Sequence, residues 1–447
     1  MEDCNFVQIL QSIPDNAQES IISNVIPEFL KNLGYSITET VPHFATGSGN
    51  SNVDYAIRKN TSHDVFIRTK SNPNLLLEIK GRDINLSENS THYNSAVHQL
   101  KRYLLAPNCQ SAQWGIITNL KHIQLFRKHG KAIHPALPCM EMRLDNAMEV
   151  IEAIKSKIAN PQKALTVAIY NNKGGVGKTT TTVNLAATLS LFGKRSLIVD
   201  FDPNQQDLTN SLGLKPSQDA LYSWLENKSN QIPQGLRTTR KFTTKSNKVF
   251  QFDVITSDEK LTELGEDKLR QVLKFSRLRQ ALEPLKLDYD YILIDSPPNW
   301  RFFSQSAVYA ADVVLIPTKH NNIFSLENAA IFINRFLPEV KQLRNDGGPM
   351  ALPIFFNGEQ ITDAQKLTAE KAIDDILNQA KKDKNSSCDL TPYFYPRFTP
   401  ATKNFHIFNV PSFAHIANAA FARVPAVYKN RTAYEYYVAL AKEYFLQ

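Results

Sequence analysis

Three glycines, two lysines and two threonines stand in the order Lys173-Gly174-Gly175-Val176-Gly177-Lys178-Thr179-Thr180, two asparagines after the apolar run ALTVAIY. That spacing predicts a strand, a tight turn and a helix that begins near Lys178. Glycines let the backbone curl so that successive N–H groups aim inward, and the helix start adds the positive end of its dipole. The product is an anion cradle lined by Gly174, Gly175, Val176, Gly177 and Thr180. Lys178 is placed to reach the β- and γ-phosphates of a nucleotide, and the Thr179 hydroxyl to coordinate Mg²⁺.

Carboxylates recur where such a site needs them. VDFDPN sets Asp200 and Asp202 at the end of an apolar run, and DYILIDSPP does the same for Asp295. Taken singly, an Asp at a strand end is often only a cap; in this order behind a glycine-rich loop, the three read as one site.

A second constellation lies upstream. In PNLLLEIKGRD, period-2 alternation puts Glu78 and Lys80 on one face of a strand and Leu77 and Ile79 on the other. NVDYAI carries Asp54 in another short strand. SAVHQLKRYLL is a helix in which Gln99 and Tyr103, four apart, share a face. Two carboxylates can hold Mg²⁺ and so lower the pKa of its water, while a lysine steadies charge in the transition state. Glu19 falls on the apolar stripe Ile22, Val25, Ile26, Phe29 and Leu33. It reads equally as a carboxylate near a metal and as an acid at a helix N-terminus. Pro27 inside that run predicts a kink or early break.

The elements that position these residues fall into two α/β blocks, as the length of 447 residues predicts. Residues 1–143 form the first, 144–163 a helical linker with Met148, Ile151, Ile154 and Ile158 at helical spacing, and 164–447 the second. The second block's apolar runs, RSLIVDF, FDVIT, DYILID, DVVLIP and ALPIFF among them, predict a mostly parallel sheet with helices on both faces. The polar stretches ENKSNQIPQGLRTTRKFTTKSNK and KKDKNSSCD read as surface excursions.

The loop departs from the common G-x-x-x-x-G-K-[ST] pattern: Asn172 stands where a glycine is usual, and Lys173 opens the loop. In this it resembles the deviant P-loop of the ParA/MinD class of dimerising ATPases, over roughly residues 164–447. The resemblance implies ATP and Mg²⁺ as cofactors and a homodimer in which Lys173 reaches the partner's nucleotide. It also implies that Asp202 orients the attacking water, that Asp200 supports the Mg²⁺ region, that Asp295 holds Mg²⁺ through water, and that Asn357 contacts adenine. No cysteines suited to a cluster stand near the loop, and the C-terminal TAYEYYVALAKEYFLQ lacks the basic face of a membrane helix. The chain is therefore similar to the ParA branch, whose dimers bind DNA non-specifically, and a small DNA-binding partner that stimulates hydrolysis is part of that expectation. Arg397, Lys403, Arg423, Lys429 and Arg431 are the candidate phosphate contacts; each reads equally as a solvated base.

The D…E-x-K order, with its Q-x-x-x-Y helix and the WGIITN strand, resembles the PD-(D/E)XK nuclease fold, most of all that of type I restriction R subunits. The resemblance implies Asp54, Glu78 and Glu19 at a metal, Lys80 in catalysis, and Gln99 and Tyr103 as accessories. The expected protein is thus a DNA-directed ATPase carrying a DNA endonuclease; the alternative is a partition or positioning ATPase whose first domain only binds.

Composition fits both. The chain is 42% hydrophobic and 21% charged, with net charge +8. From Thr391 onward six bases face two acids, which suits a polyanionic partner or plain solubility. Four scattered cysteines show no metal spacing and fit a reducing, cytoplasmic setting. No apolar stretch approaches the roughly 20 residues that span a bilayer.

Overall fold

The computed structural model describes residues 3–227, 231–243, 247–383, 388–411, 419 and 421–447. The chain divides into two units, one comprising residues 1–161, 345–348 and 447, the other 162–344 and 349–446.

The first unit is built on a seven-stranded mixed sheet. Its strands are β1 (Thr40–Ala45), β2 (Asn52–Ile57), β3 (Leu75–Ile79), β4 (Trp114–Thr118), β5 (His122–His129), β6 (Ala132–Pro135) and β7 (Met140–Glu141). They lie in the order β1-β2-β3-β4-β5-β6, with β7 on β5. Only β3 and β4 pair in parallel, and the helix Thr91–Leu104 makes their crossover. Ser90 starts that helix by accepting from the Tyr93 N–H. Alternation along β3 sorts its side chains: Leu75, Leu77 and Ile79 enter a core with Ile22, Ile26 and Phe29, while Leu76 enters another with Val97 and Leu100.

Two expectations change here. The helix Ala147–Ala159 is no linker, because Ala147, Val150, Ile151 and Ile154 are buried in the first unit's core; the boundary expected at residue 143 falls after Pro161. Pro27 does not break its helix either, which runs from Glu19 to Asn32. Proline leaves the carbonyl four residues back without its donor. That carbonyl, on Ser23, accepts instead from the Tyr55 hydroxyl at 3.3 Å.

The second unit contains β8 (Leu165–Ile169), β9 (Ser196–Asp200), β10 (Arg237–Thr243), β11 (Val249–Ile255), β12 (Tyr291–Asp295), β13 (Val313–Leu315), β14 (Pro317–Thr318), β15 (Met350–Ala351), β16 (Phe355–Gly358) and β17 (Phe408–Pro411). Its main sheet runs β10-β11-β9-β12-β8-β13-β15, parallel throughout except for β10. The central strands are buried along their whole length, as parallel strands covered on both faces must be. A smaller parallel sheet joins β14, β16 and β17. The stretch read as an excursion around residue 240 is in fact β10, a seven-residue partner of β11; its polar, base-rich composition hid the strand. Within the closing segment, residues 412–418 and 420 lie outside the described residues, as do 384–387 in the second polar stretch. The helix Arg431–Tyr444 buries Tyr437, Leu440, Ala441 and Tyr444, so its apolar face is spent on the fold. No helix among the described residues is long and apolar enough to cross a membrane.

Candidate functional site

Strand order places the phosphate loop. The strands beside β8 are β12 and β13, so the chain leaves β8 at the carboxyl edge of the sheet where β9 and β12 also end. Asn171 is buried and donates to the carbonyls of Pro317 and Ser325, at 2.9 and 3.0 Å, which anchors the loop's first limb. Asn172 stands outside the left-handed region, and its carbonyl accepts from Asn328 at 3.0 Å, so this chain has no need of the usual glycine there.

The glycines do two different things. Side chains added at Gly174 or Gly175 would meet nothing within 4 Å, so the loop borders open space there. Gly177, at φ +82°, lies so close to Asn357 that a Cβ would strike its amide. The Asn357 amide nitrogen donates to the Val176 carbonyl at 3.0 Å, to Gly177 at 3.4 Å and to the Thr181 hydroxyl at 3.3 Å. Its observed work is to brace the loop, a contact that the adenine expectation did not include.

At the start of the helix Lys178–Leu191, the Thr179 hydroxyl donates to Asp295 Oδ2 at 2.6 Å. Asp295 Oδ1 is buried with no partner. Burial pushes the Asp295 carboxyl up to about 7, against the Thr179 hydrogen bond and the Lys178 charge. Lys178 is pulled down by burial, with Asp295 and Asp202 opposing, and its ammonium rests on the Lys173 carbonyl at 3.3 Å. A site of unsatisfied oxygen, open glycine backbone and a desolvated ammonium is complementary to a phosphate with its divalent cation. The residues present therefore fit Mg²⁺ and a nucleotide.

The two aspartates after β9 have separate partners. Asp200 accepts through Oδ2 from the Thr209 N–H and hydroxyl, at 2.8 and 2.6 Å, and through Oδ1 from the Asp202 N–H at 3.3 Å. Burial raises it to about 6 in spite of these bonds. With both oxygens engaged, Asp200 holds the turn that carries Asp202. Burial also raises Asp202, while the Gln205 N–H and Lys178 pull the other way. Lys173 extends toward the ring of exposed Phe324, 5.8 Å from its centroid. Thr209, Asn171 and Phe324 were absent from the expected site; no sequence pattern marks them, since each acts through the fold.

In the first unit, Asp54 on β2 and Glu78 on β3 come together: Asp54 Oδ2 accepts from the Ile79 N–H at 2.7 Å. Lys80, one residue past β3, bonds Glu78 Oε1 at 2.5 Å and lies 3.9 Å from Glu19. Glu78 is buried, and Oε2 has no partner. Burial, then the Asp54 charge, raises Glu78 to about 7 against the pull of Lys80. For Lys80 burial acts downward, but the charges of Glu78, Glu19 and Asp54 outweigh it and the net shift is upward. Glu19 is the first residue of its helix, as the N-terminus reading expected, and it also lies beside the Lys80 ammonium. Gln99 donates to the Tyr103 hydroxyl at 2.8 Å, on the helix that covers the Leu76 side of the sheet, the side Glu78 shares. Among the described residues no group of three or more His, Cys, Asp or Glu is gathered as for a metal; one or two carboxylates with waters nevertheless suffice for Mg²⁺.

The C-terminal bases are not equivalent. Arg397 makes a bidentate pair with Glu443, at 2.9 and 3.0 Å, and Arg431 bonds Glu435 at 2.9 Å. Lys403 and Arg423 sit at left-handed backbone positions, and Lys429 is exposed at the end of the short helix Ala426–Lys429.

The family described as AAA domain matches residues 164–346. The chain is 36% identical over 182 residues to the sporulation initiation inhibitor protein Soj of Bacillus subtilis strain 168, across 40% of this chain and 68% of that protein. It is 33% identical over 199 residues to the chromosome partitioning protein ParA of Caulobacter vibrioides, across 43% of this chain and 67% of that protein. Among solved structures, the ATP complex of a Cyanothece McdA variant is similar at TM-score 0.47 with 20% identity, over 64% of this chain and 98% of that one. With the loop, its carboxylates and the Soj and ParA likenesses together, the chain belongs to the ParA/Soj family of P-loop ATPases, and its cofactors are ATP and Mg²⁺.

Proposed function

We propose that this chain couples Mg·ATP binding at the glycine loop to assembly of a homodimer that holds DNA non-specifically, in DNA partition or in the upkeep or defence of mobile DNA. We further propose that its first unit is a PD-(D/E)XK module that cuts DNA with a divalent metal. The observation that carries the first reading is the Thr179–Asp295 pair beneath an open glycine loop flanked by Lys173. Mg²⁺ supplies neutralisation of charge on the β- and γ-phosphate oxygens. The chain's own residues do the rest. Loop N–H groups and Lys178 orient the phosphates, Thr179 and Asp295 hold the cation side, and Asp202 orients water for in-line attack on the γ-phosphorus. Lys173 crosses to the second copy's nucleotide, which makes assembly depend on ATP. The chromosome partitioning ParA of Caulobacter supports the partition context by likeness, and Arg397, Lys403, Arg423, Lys429 and Arg431 are the proposed DNA contacts. A small DNA-binding protein as activator of hydrolysis belongs to the same reading.

For the first unit, support comes from the apposition of Asp54 and Glu78 and the unpartnered Glu78 Oε2. The close Lys80–Glu78 bond supports a second reading, in which the ammonium stands in for the metal and the unit only binds DNA or protein. Sedimentation of the full chain with and without Mg·ATP tests the first proposal: wild type dimerises, Lys173→Ala and Lys178→Ala stay monomeric. A wild-type chain that stays monomeric and binds no Mg·ATP overturns it. Plasmid incubated with Mg²⁺ or Mn²⁺ separates the two readings of the first unit, since cleavage that Glu78→Ala and Lys80→Ala abolish supports the nuclease and no cleavage by wild type supports the binding module.

A further inference from the structure

The edge hairpin of the second unit carries charge that the ATP site does not use. β10 reads Arg-Thr-Thr-Arg-Lys-Phe-Thr, with three bases and no acid. Its partner β11 pairs with β9 only through Asp253–Ile255, so the Val249–Gln251 end of the hairpin runs beyond its neighbour. The ladder Arg240↔Phe252 and Phe242↔Phe250 puts Arg240, Phe242, Phe250 and Phe252 on one face, while Lys241 faces the other way.

That face is joined to the C-terminal segment through one ring. Tyr428 lies 5.3 Å from Phe242 and is stacked on Phe250 at 5.8 Å. Its hydroxyl is fixed by Ser190 Oγ at 2.7 Å and the Ala187 carbonyl at 3.2 Å. Arg240 lies over Phe242, 5.3 Å from the centroid. Its Nε is buried without a hydrogen-bond partner, and among the described residues it makes no ion pair. Lys429, next to Tyr428, is exposed. The one acid on β11, Asp253, is spent on Thr239 and Tyr289. An aromatic cluster thus holds the Arg240 guanidinium beside the segment that carries exposed Lys429, two cations for which phosphate oxygens are suitable partners.

We propose that the Arg240 face of this hairpin, together with Lys429 next to Tyr428, contacts the phosphate backbone of duplex DNA. The proposal rests on the DNA reading above and adds an element that the C-terminal bases alone would not include. Phosphate contacts fix a protein on the duplex without reading sequence, and each contributes to the salt dependence of binding.

The test is anisotropy of a labelled duplex of mixed sequence with the full chain and Mg·ATP, titrated between about 50 and 200 mM salt. Arg240→Gln and Lys429→Gln are each expected to weaken binding several-fold and to lower the slope of log K against log salt by about 0.9. Lys241→Gln, on the opposite face, is expected to leave both the slope and ATP turnover without DNA unchanged. Arg240→Met, which keeps the stem over Phe242, replaces the Gln variant should that one fail to fold. Wild-type binding with unaltered slopes for the Arg240 variants, or an equal loss in Lys241→Gln, overturns the proposal alone. No wild-type binding at any salt overturns the DNA reading and this proposal with it.

Discussion

The Thr179 hydroxyl and the Asp295 carboxylate meet at 2.6 Å, with the second Asp295 oxygen buried and unpartnered. The pair joins the first turn of the loop helix to the end of β12, so two segments far apart in sequence meet at the proposed cation site.

Replacing Asp295 with Asn is expected to separate stability from function. The buried carboxyl is costly to ionise, so the variant's melting temperature without ligand equals or exceeds that of wild type. Mg·ATP turnover falls at least about 100-fold, in the range seen when one electrostatic stabiliser is removed. Phosphate release checks the turnover, and differential scanning fluorimetry the stability: wild type is raised by Mg·ATP, as a ligand that binds only the folded state requires, and the variant is not. A variant stabilised by Mg·ATP as much as wild type contradicts the assignment.

Stability without ligand should fall as pH rises. Asp200 is raised to about 6 and Asp295 and Glu78 to about 7, above the unfolded values near 4. The folded state therefore binds more protons, and that advantage, full below about pH 4, is lost as pH climbs through about 7. Urea midpoints at pH 5, 6, 7 and 8 are expected to decrease, with a shallower trend in Asp295→Asn. Midpoints that rise over this range would refute the sign.

Glu78→Gln is expected to keep the fold and to lose metal-dependent cleavage. An amide fits where a carboxyl held near neutrality already sits, so the cost to stability is roughly 1 kcal/mol or less. Gel analysis of nicked plasmid against a matched melting curve makes the comparison; cleavage that persists in the variant excludes Glu78 as a metal ligand.

The Ser23 carbonyl gives a test of helix continuity. Tyr55→Phe should cost about 1 kcal/mol, the worth of a hydrogen bond to an otherwise stranded carbonyl. Pro27→Ala should stabilise the helix by roughly 1–3 kcal/mol and return a donor to that carbonyl. In the double variant the Tyr55→Phe cost should shrink; full additivity would show that the hydroxyl does not replace the missing N–H.

Much of this was legible from residue order. The glycine loop, Lys178, Thr179 and the strand-end position of Asp295 follow from local spacing, because the phosphate cradle is built from contiguous backbone. The same holds for the strand positions of Asp54 and Glu78, though not for the pairing of β2 with β3 that brings them together. What was not legible depends on neighbours distant in sequence. Both Asp200 oxygens are claimed by Thr209 and the Asp202 N–H, Asn357 braces Gly177, and Tyr55 rescues the helix at Pro27. β10 was hidden for another reason: an edge strand faces solvent and needs no apolar run, so charged residues mask it.

The helix Ala147–Ala159 decides where this protein can be divided. A fragment ending at residue 143 would lack Val150, Ile151 and Ile154 and leave the first unit's apolar surface wet, inviting aggregation, whereas a cut after Pro161 spares it. The natural seam for exchanging this ATPase between unrelated N-terminal modules is therefore the short NPQK turn and not the helix before it.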